Sequence, residues 1–234
     1  MALILKIYLV IVVAMVSIIQ KPDYAALRKK MVVEQLEQRG ITSGKVLDAM
    51  HKVERHLFVP VEHRNQAYED YPLPIGAGQT ISQPYIVAFM TEVLDIKPTD
   101  RILEIGTGSG YQAAILGELC REVYTIEIVP SLAEKSESLL RSLGYKNVNV
   151  KMGDGYQGWP EVAPFDVIIV TCSPSHVPPA LQRQLKEGGR MIIPVGERYA
   201  QELVLLKKKN GKLTRQSRMP VMFVPMMDST GKKY

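Results

Sequence analysis

The 234-residue sequence predicts an α/β fold with a doubly wound, mostly parallel sheet of seven strands and a helical N-terminal extension. Short apolar runs alternate with helical stretches from Arg101 onward, which is typical of parallel strands covered by helices on both faces. Near the end of the chain, two further β-like runs flank Asn210-Gly211. This turn signal predicts that the sheet ends in antiparallel strands.

The composition is that of a globular protein with an unusual beginning. Apolar residues make up 46% of the chain and charged residues 23%, with a formal charge of +5, which argues against disorder, collagen and a polytopic membrane protein. Yet 17 of the first 20 residues are apolar. We therefore divide the chain into an apolar head (residues 1–30), a helical and loop extension (31–97) and a core that carries the sheet (98–234).

The apolar head has three readings. The run Ile7–Ile19 is short for a membrane span, which needs about 20 residues. Residues 1–30 contain no Ala-x-Ala cleavage site, and positive charge is heavier after the run than before it. The pattern favours a membrane anchor with the body in the cytoplasm, or an overlong start ahead of Met31, over a cleaved signal. Any membrane contact is expected only through residues 1–30.

The basic residues and cysteines indicate neither a nucleic-acid partner nor a metal. The pI is near 9.1, but the lysines at 207–209 lie beside the predicted turn, where a solvated hairpin end explains them. Cys120 and Cys172 form no Cys-x-x-Cys pair and fit two buried thiols, and the four histidines lie in no metal-ligand spacing.

Two short helices are predicted at the start of the body. The apolar spacing over residues 31–53 is helical, and Gly40 and Gly44 interrupt it. Either Thr42 or Ser43 fits the position that caps the second helix.

The segment that follows is predicted to be a shaped loop and then a helix. Residues 71–80 carry two prolines and two glycines, a density that argues against regular structure. Apolar residues over 86–94 recur at helical spacing, with Ser82 placed as the N-cap and Pro84 tolerated in the first turn.

The strands of the core are predicted from short apolar runs. The buried strands are Ile102–Ile105, Val123–Ile128, Val148–Met152, Val167–Val170 and Met191–Pro194, and the antiparallel ones are Glu202–Lys207 and Val221–Pro225.

A glycine-rich loop follows the first buried strand and opens a helix. Gly106, Gly108 and Gly110 allow the backbone to approach a ligand, and the helix N-terminus offers free N–H donors. A dinucleotide fold has the longer Gly-x-Gly-x-x-Gly spacing. The acid before the loop, Glu104, would repel a pyrophosphate but suits a cationic ligand.

Two more acids end the next strands. Glu127 lies 21 residues after Gly106, the distance of an acid that accepts ribose hydroxyls, and Asp154, followed by Gly155, is placed to accept from an adenine amino group. Any one acid alone reads as a surface residue at a strand end. Together with the glycine loop, they resemble the class I S-adenosylmethionine-dependent methyltransferases, with a Rossmann-like core over residues 98–234.

A narrower resemblance rests on the segment before the glycine loop. The matching residues are Ala67-Tyr68, Pro72–Gly76, Gln79–Tyr85, Gly188–Arg190, Ile193–Gly196 and Phe223–Pro225. From about Met31 to Met227 the chain resembles the protein-L-isoaspartate (D-aspartate) O-methyltransferases. The resemblance implies methyl transfer from S-adenosylmethionine to the free α-carboxylate of isoaspartyl residues in proteins and peptides, which initiates repair through a succinimide.

The resemblance also implies roles for individual residues. The active-site residue is Ser82, and the cofactor is bordered by Gln79, Thr80, Ile81, Glu104, Gly106, Gly108, Gly110, Glu127, Asp154 and Gly155. The main chain of the substrate is held near Ile75, Gly76, Pro194, Val195 and Gly196. An α-carboxylate is ionised at pH 7, so the site needs a donor that fixes one oxygen, which the Ser82 hydroxyl supplies, rather than a general base.

Several alternatives stay open. The nearest is a carboxyl methyltransferase for another substrate, followed by an NAD-linked oxidoreductase and a module that binds the cofactor without turnover. Tyr85, Tyr156 and Trp159 either border the cofactor or pack. We expect a monomer whose body is cytoplasmic, because the methyl donor is made in the cytosol.

Overall fold

The computed structural model describes residues 22–197 and 199–231. The helices are α1 (Tyr24–Lys30), α2 (Gly44–Lys52), α3 (Pro84–Val93), α4 (Tyr111–Gly117), α5 (Pro130–Ser142) and α6 (Pro179–Gln184). The strands are β1 (Leu73–Gly76), β2 (Gln79–Ile81), β3 (Arg101–Ile105), β4 (Glu122–Glu127), β5 (Val148–Met152), β6 (Phe165–Val170), β7 (Leu185–Glu197), β8 (Ala200–Lys209) and β9 (Lys212–Val221). Short 3₁₀ segments cover Glu37–Arg39, Arg55–Phe58, Val61–Gln66 and Pro160–Val162.

Strands β3 to β9 form one sheet in the order β5-β4-β3-β6-β7-β8-β9. The five strands from β5 to β7 run parallel to their neighbours, and β8 and β9 close the sheet with antiparallel pairs. The predicted α/β fold with a mostly parallel seven-stranded sheet is therefore confirmed.

Both faces of the central strands β3 and β6 are mostly apolar, as expected for strands covered on two sides. In β6, Val167 and Ile169 belong to one buried layer, whereas Ile168 and Val170 belong to the other. Helices α2 to α5 contribute side chains to the first layer, and α6 and the segment after β9 contribute to the second. This packing leaves the carboxyl ends of the parallel strands to form one edge of the sheet.

The first helix begins earlier than the predicted start at Met31. It starts at Tyr24, where the side chain of Asp23 accepts a hydrogen bond from the Ala26 N–H at 3.0 Å. A π-helical turn continues this helical run, which ends at Gly40 in the left-handed region. The predicted division after residue 30 thus falls inside one helical stretch.

Most of the predicted apolar head, residues 1–21, lies outside the described residues. The anchor, the overlong start and the cleaved signal therefore stay predictions. Within residues 22–197 and 199–231, no helix is both long enough and apolar enough to cross a membrane.

The predicted side-chain caps are replaced by other contacts. Ser43 occupies the N-cap position of α2, but its hydroxyl makes no capping bond. Instead, the Glu92 carboxylate accepts from the backbone N–H groups of Thr42 and Ser43, at 2.7 and 2.6 Å. The cap position of α3 belongs to Gln83, so the prediction that Ser82 caps this helix is wrong by one residue.

The prediction of an irregular loop over residues 71–80 is also wrong. Strands β1 and β2 form an antiparallel hairpin with Leu73 opposite Ile81. Ala77 and Gly78 both have positive φ values, 51° and 70°, and this backbone matches the twist of a tight hairpin. The positive φ values of Ala77 and Gly78 allow a hairpin here in spite of the prolines and glycines in the segment.

The turn at Asn210-Gly211 is confirmed, but the strand after it was misplaced. Both turn residues have positive φ, and they connect β8 to β9. Strand β9 spans Lys212–Val221, not Val221–Pro225. Its residues are mostly exposed and polar, so the apolar pattern that identifies buried strands is absent.

Candidate active site

A cavity opens at the carboxyl edge of the parallel strands. Its wall combines the ends of β3, β4 and β6 with the hairpin strand β2 and the segment after β9. The predicted site residues in the wall are Gln79, Thr80, Ile81, Ser82, Gly106, Gly108, Glu127 and Gly155. Those outside it are Ile75, Gly76, Glu104, Gly110, Asp154, Pro194, Val195 and Gly196.

The glycine loop brings its backbone to the cavity. Gly106 and Gly108 have φ values of 95° and 53°, and a Cβ on Gly106 would lie 2.5 Å from Oγ1 of Thr171. Gly110 has a different role from the one expected. It occupies the N-cap position of α4 and packs against Leu140, where a Cβ would lie 3.2 Å from the leucine side chain.

Glu127 is buried in the wall, and backbone donors hold its carboxylate. One oxygen accepts from the Gly108 N–H at 2.7 Å, and the other accepts from the Val129 N–H at 2.9 Å. A carboxylate oxygen has two lone-pair sites, so each oxygen keeps one for a ligand hydroxyl. The carboxylate is thereby preorganised to accept two hydroxyl groups.

Glu104 lies behind the wall rather than in it. Its side chain is fully buried, and this burial raises the pKa of the Glu104 carboxyl to about 8. Thr125 donates to one carboxyl oxygen at 2.5 Å, and Thr107, which lines the cavity, lies 2.6 Å from the Thr125 hydroxyl. The expectation of an ionised carboxylate facing the ligand is therefore wrong for this structure. The carboxyl is neutral at pH 7 and is linked to the cavity by a chain of hydrogen bonds through Thr125 and Thr107.

The buried Glu104 carboxyl makes stability depend on pH. Between its ordinary pKa of 4.5 and about 8, the folded protein holds a proton that the unfolded chain has released. The contribution of this site to stability therefore falls as pH rises, by about 1.4 kcal/mol per pH unit. Glu104→Gln removes the titration, so the free energy of unfolding of the variant relative to wild type should increase by about 1.4 kcal/mol from pH 6 to pH 7 in urea unfolding.

The control is Glu134→Gln, which changes an exposed glutamate on α5. Its difference from wild type should stay constant between the two pH values. A difference between Glu104→Gln and wild type that is also constant with pH would show that Glu104 is ionised in the folded protein.

Asp154 and Gly155 follow the end of β5 and have different surroundings. Gly155 lines the cavity, whereas Asp154 uses its carboxylate locally. One oxygen accepts from the Tyr156 N–H at 2.8 Å, and the other accepts from the Ser229 N–H at 3.3 Å. Asp154 thus connects the rim of the cavity to the C-terminal segment.

Gly155→Ala should weaken ligand binding and stability together. The added Cβ would lie 2.3 Å from Cγ2 of Ile105 and 2.9 Å from Cε of Met226, so the wall must shift. We expect a loss of about 1 to 2 kcal/mol in the free energy of unfolding. Calorimetric titration with S-adenosylhomocysteine should show a roughly tenfold loss of affinity.

Gly153→Ala is the matched control, because the nearest atom to its added Cβ lies 3.8 Å away. That variant should bind and unfold like wild type. Equal behaviour of the two variants would mean that the wall at residue 155 tolerates a side chain.

Ser82 follows the hairpin and lines the cavity together with residues of the glycine loop. It lies between the buried end of β2 at Ile81 and the start of α3, and it is half-buried. The residue lines the cavity, and its hydroxyl has no hydrogen-bond partner among the residues that the structure describes. This donor is therefore free to meet a ligand.

The two segments expected to hold a substrate backbone lie beside the wall. Ile75 is buried under the glycine loop, 3.4 Å from the position of a Cβ on Gly108, and Gly76 is exposed with φ of 97°. In β7, Gly196 donates its N–H to the Pro174 carbonyl at 3.1 Å. A Cβ on Gly196 would lie 2.1 Å from the Ala200 carbonyl, so the hairpin requires glycine there.

The C-terminal segment is a part of the wall that the sequence did not indicate as a site. Its four lining residues are Val224, Pro225, Met226 and Met227. Ser173 fixes them, since its N–H donates to the Val224 carbonyl and its carbonyl accepts from the Met226 N–H, both at 2.9 Å. Apolar residues directly after the last strand were the available signal, and they were interpreted as a strand.

The remaining candidates pack rather than line the cavity, with one exception. Tyr156 and Trp159 pack against the second apolar layer, and Tyr85 lies beside Phe89 outside the wall. Cys172 is the exception. Its thiol was expected to be buried in the core, but it lines the cavity, and burial raises its pKa well above the usual range.

The family comparison matches nearly all of the described chain. A family model described as Protein-L-isoaspartate(D-aspartate) O-methyltransferase (PCMT) matches residues 27–231. The protein-L-isoaspartate O-methyltransferase of Opitutus terrae is 57% identical over 199 residues, covering 85% of this chain and 85% of the relative. That of Gloeobacter violaceus is 54% identical over 197 residues, covering 84% and 96%.

Two solved structures of proteins with the same description are also similar to this chain. A protein-L-isoaspartate O-methyltransferase superposes with a TM-score of 0.77 and 32% identity, over 84% of this chain and 65% of that one. A Plasmodium falciparum protein, described as a protein-L-isoaspartate O-methyltransferase in complex with S-adenosyl-L-homocysteine, also gives 0.77, with 27% identity over 89% of this chain and 100% of that one.

Proposed function

This chain belongs to the protein-L-isoaspartate (D-aspartate) O-methyltransferase family, and from this premise we propose which of its residues hold the methyl donor and which orient the acceptor. The enzyme transfers a methyl group from S-adenosylmethionine to the free α-carboxylate of isoaspartyl residues in proteins, which initiates their repair through a succinimide. One observation carries the assignment of roles. Ser82, whose hydroxyl has no hydrogen-bond partner among the described residues, lies in the same wall as the glycine loop and Glu127.

The residues of the wall fit S-adenosylmethionine. Glu127 offers two hydroxyl-accepting sites for a ribose, and Gly106 and Gly108 present backbone instead of side chains. Gln79, Thr80 and Ile81 border the donor from the hairpin side. When bound, the cofactor supplies a methyl group activated by a sulfonium cation.

Two acids act at the margins of this site. Asp154 lies outside the wall beside Gly155, and its oxygens accept from two backbone N–H groups, so we assign the adenine amino group to a lone pair that one of these oxygens keeps. Glu104 interacts with the donor through a chain of hydrogen bonds, by way of Thr125 and Thr107, rather than by direct contact. A cation in the cavity favours the ionised form of a buried carboxyl, which fits an acid placed one layer behind the wall.

Ser82 orients the acceptor. Its hydroxyl donates to one oxygen of the isoaspartyl α-carboxylate and leaves the other oxygen free to attack the methyl carbon. The carboxylate is already ionised at pH 7, since its ordinary pKa is about 3.5, so no side chain has to remove a proton. The rate gain comes from alignment at near-attack distance.

Backbone groups hold the substrate chain. We assign this role to Ile75 and Gly76 in the hairpin and to Pro194, Val195 and Gly196 at the end of β7. Contacts to the substrate backbone do not depend on the identity of the substrate side chains. This suits an enzyme whose substrates share only the damaged residue. Residues 31–97 thus contribute the hairpin and Ser82, and the later part of the chain contributes the glycine loop, Glu127 and the end of β7.

The cofactor indicates the cellular compartment in which the enzyme acts. We place the body in the cytoplasm, because S-adenosylmethionine is made there, and limit membrane contact to residues 1–30. We expect the enzyme to act as a monomer.

Paired peptides test the function. The full chain is incubated with methyl-labelled S-adenosylmethionine and with two peptides that differ only in isoaspartate against aspartate. Label is expected in the isoaspartyl peptide alone. Equal labelling of both peptides would point to a carboxyl methyltransferase of another specificity, and labelling of neither would overturn the acceptor assignment.

A further inference from the structure

Asp70 precedes the β1–β2 hairpin and contacts the segment directly after Ser82. Its side chain is about three-quarters buried, with a relative exposure of 24%. One carboxylate oxygen accepts from the Gln83 side-chain amide at 2.7 Å, and the same amide donates to the Asp70 backbone carbonyl at 2.9 Å. The Gln83 side chain is thus held at two points by a residue 13 positions earlier.

The same carboxylate performs the capping that Gln83 does not. The second oxygen of Asp70 accepts from the Tyr85 N–H at 3.3 Å, in the first turn of α3. This N–H is one of the donors that a helix leaves unpaired at its start. A negative charge there also interacts favourably with the helix dipole.

Arg39 completes the cluster from the other side. Its guanidinium pairs with the Asp70 carboxylate, and its central carbon lies 3.7 Å from the centre of the Tyr85 ring. A cation over an aromatic face is attracted to it. The pair therefore connects the N-terminal helical run to the first turn of α3.

We propose that Asp70 is a positioning residue for methyl transfer, because its carboxylate fixes Gln83 and the start of α3 and thereby the hydroxyl of Ser82. This inference rests on the proposed function. Ser82 has no hydrogen bond of its own to any described residue, so its position is set by its chain neighbours. On one side β2 holds Ile81, and on the other side Asp70 holds Gln83.

A double-mutant cycle tests the proposal. Asp70→Asn removes the charge and turns an amide donor toward either the Gln83 amide or the Tyr85 N–H, so we expect kcat for an isoaspartyl peptide to fall roughly tenfold. The affinity for S-adenosylhomocysteine should stay within about threefold of wild type. In a Ser82→Ala background, the same Asp70→Asn change should lower kcat less than about twofold, because there is no hydroxyl left to position.

Two further variants make the result specific. Asp95→Asn is the control, since this exposed aspartate pairs with Lys45 and Lys97 beyond the other end of α3. It should turn over like wild type. Gln83→Leu cuts the same link without changing Asp70, should lower kcat about fivefold, and tests the proposal even if Asp70→Asn does not fold.

The outcomes separate the proposal from the function on which it rests. Unchanged kcat in both Asp70→Asn and Gln83→Leu would overturn the positioning role. Equal fold losses with and without the Ser82 hydroxyl would overturn it as well, because a merely structural effect adds in the cycle. Wild-type turnover in Ser82→Ala alone would instead contradict the proposed role of Ser82.

Discussion

Ser82→Ala should lower kcat for an isoaspartyl peptide roughly 100-fold while leaving the affinity for S-adenosylhomocysteine within about twofold. Ser82 lines the cavity and its hydroxyl has no hydrogen-bond partner among the described residues, so removal of the hydroxyl breaks no hydrogen bond within that part of the protein. The loss therefore falls on the alignment of the acceptor carboxylate. Steady-state kinetics with the peptide and calorimetry with S-adenosylhomocysteine measure the two quantities separately.

Stability distinguishes this role from helix capping. An N-cap serine contributes about 1 kcal/mol, but the cap position of α3 belongs to Gln83. The free energy of unfolding of Ser82→Ala should therefore lie within about 0.5 kcal/mol of wild type. Ser142→Ala, at the exposed end of α5, is the control for hydroxyl loss. Normal turnover combined with a loss of about 1 kcal/mol would restore the capping interpretation and remove Ser82 from the reaction.

The central fold could be predicted because the patterns that indicate its strands lie within short stretches of sequence. Strands such as β3, β4 and β6 are short apolar runs, since both of their faces are buried. The carboxyl ends of parallel strands meet at one edge, so Gly106 and Glu127 could be placed in the same site from their positions alone. The chain order of motifs was sufficient for this part.

What the sequence did not show depends on contacts between distant residues. Glu92 caps α2 from a position 50 residues away from Thr42, and no local pattern reports this. Glu104 lies near the end of a strand like many acids, but its burial and the nearby Glu127 raise its pKa against the opposing effect of the hydrogen bond from Thr125. The wall formed by the C-terminal segment likewise depends on Ser173, whose backbone pairs with it across the chain.

Glu127→Gln should raise the dissociation constant for S-adenosylhomocysteine about 100-fold, with kcat at saturating donor within about threefold of wild type. Glutamine has one acceptor oxygen, so its amide meets the N–H of either Gly108 or Val129 as a second donor. One charge-assisted hydrogen bond to the ligand is lost at the same time, which costs about 1.5–3 kcal/mol. Ser82 is unchanged, so the bound donor still reacts.

A modified ligand separates lost contacts from a distorted loop. S-adenosylhomocysteine without its ribose 2′-hydroxyl should bind wild type about tenfold more weakly than the intact ligand, but it should bind Glu127→Gln almost as well as the intact ligand does. Glu122→Gln, at the other end of β4 and paired with Arg101 at 3.0 Å, should behave like wild type with both ligands. If the variant still discriminated between the two ligands as wild type does, the ribose would be held elsewhere, and Glu127 would only support the glycine loop.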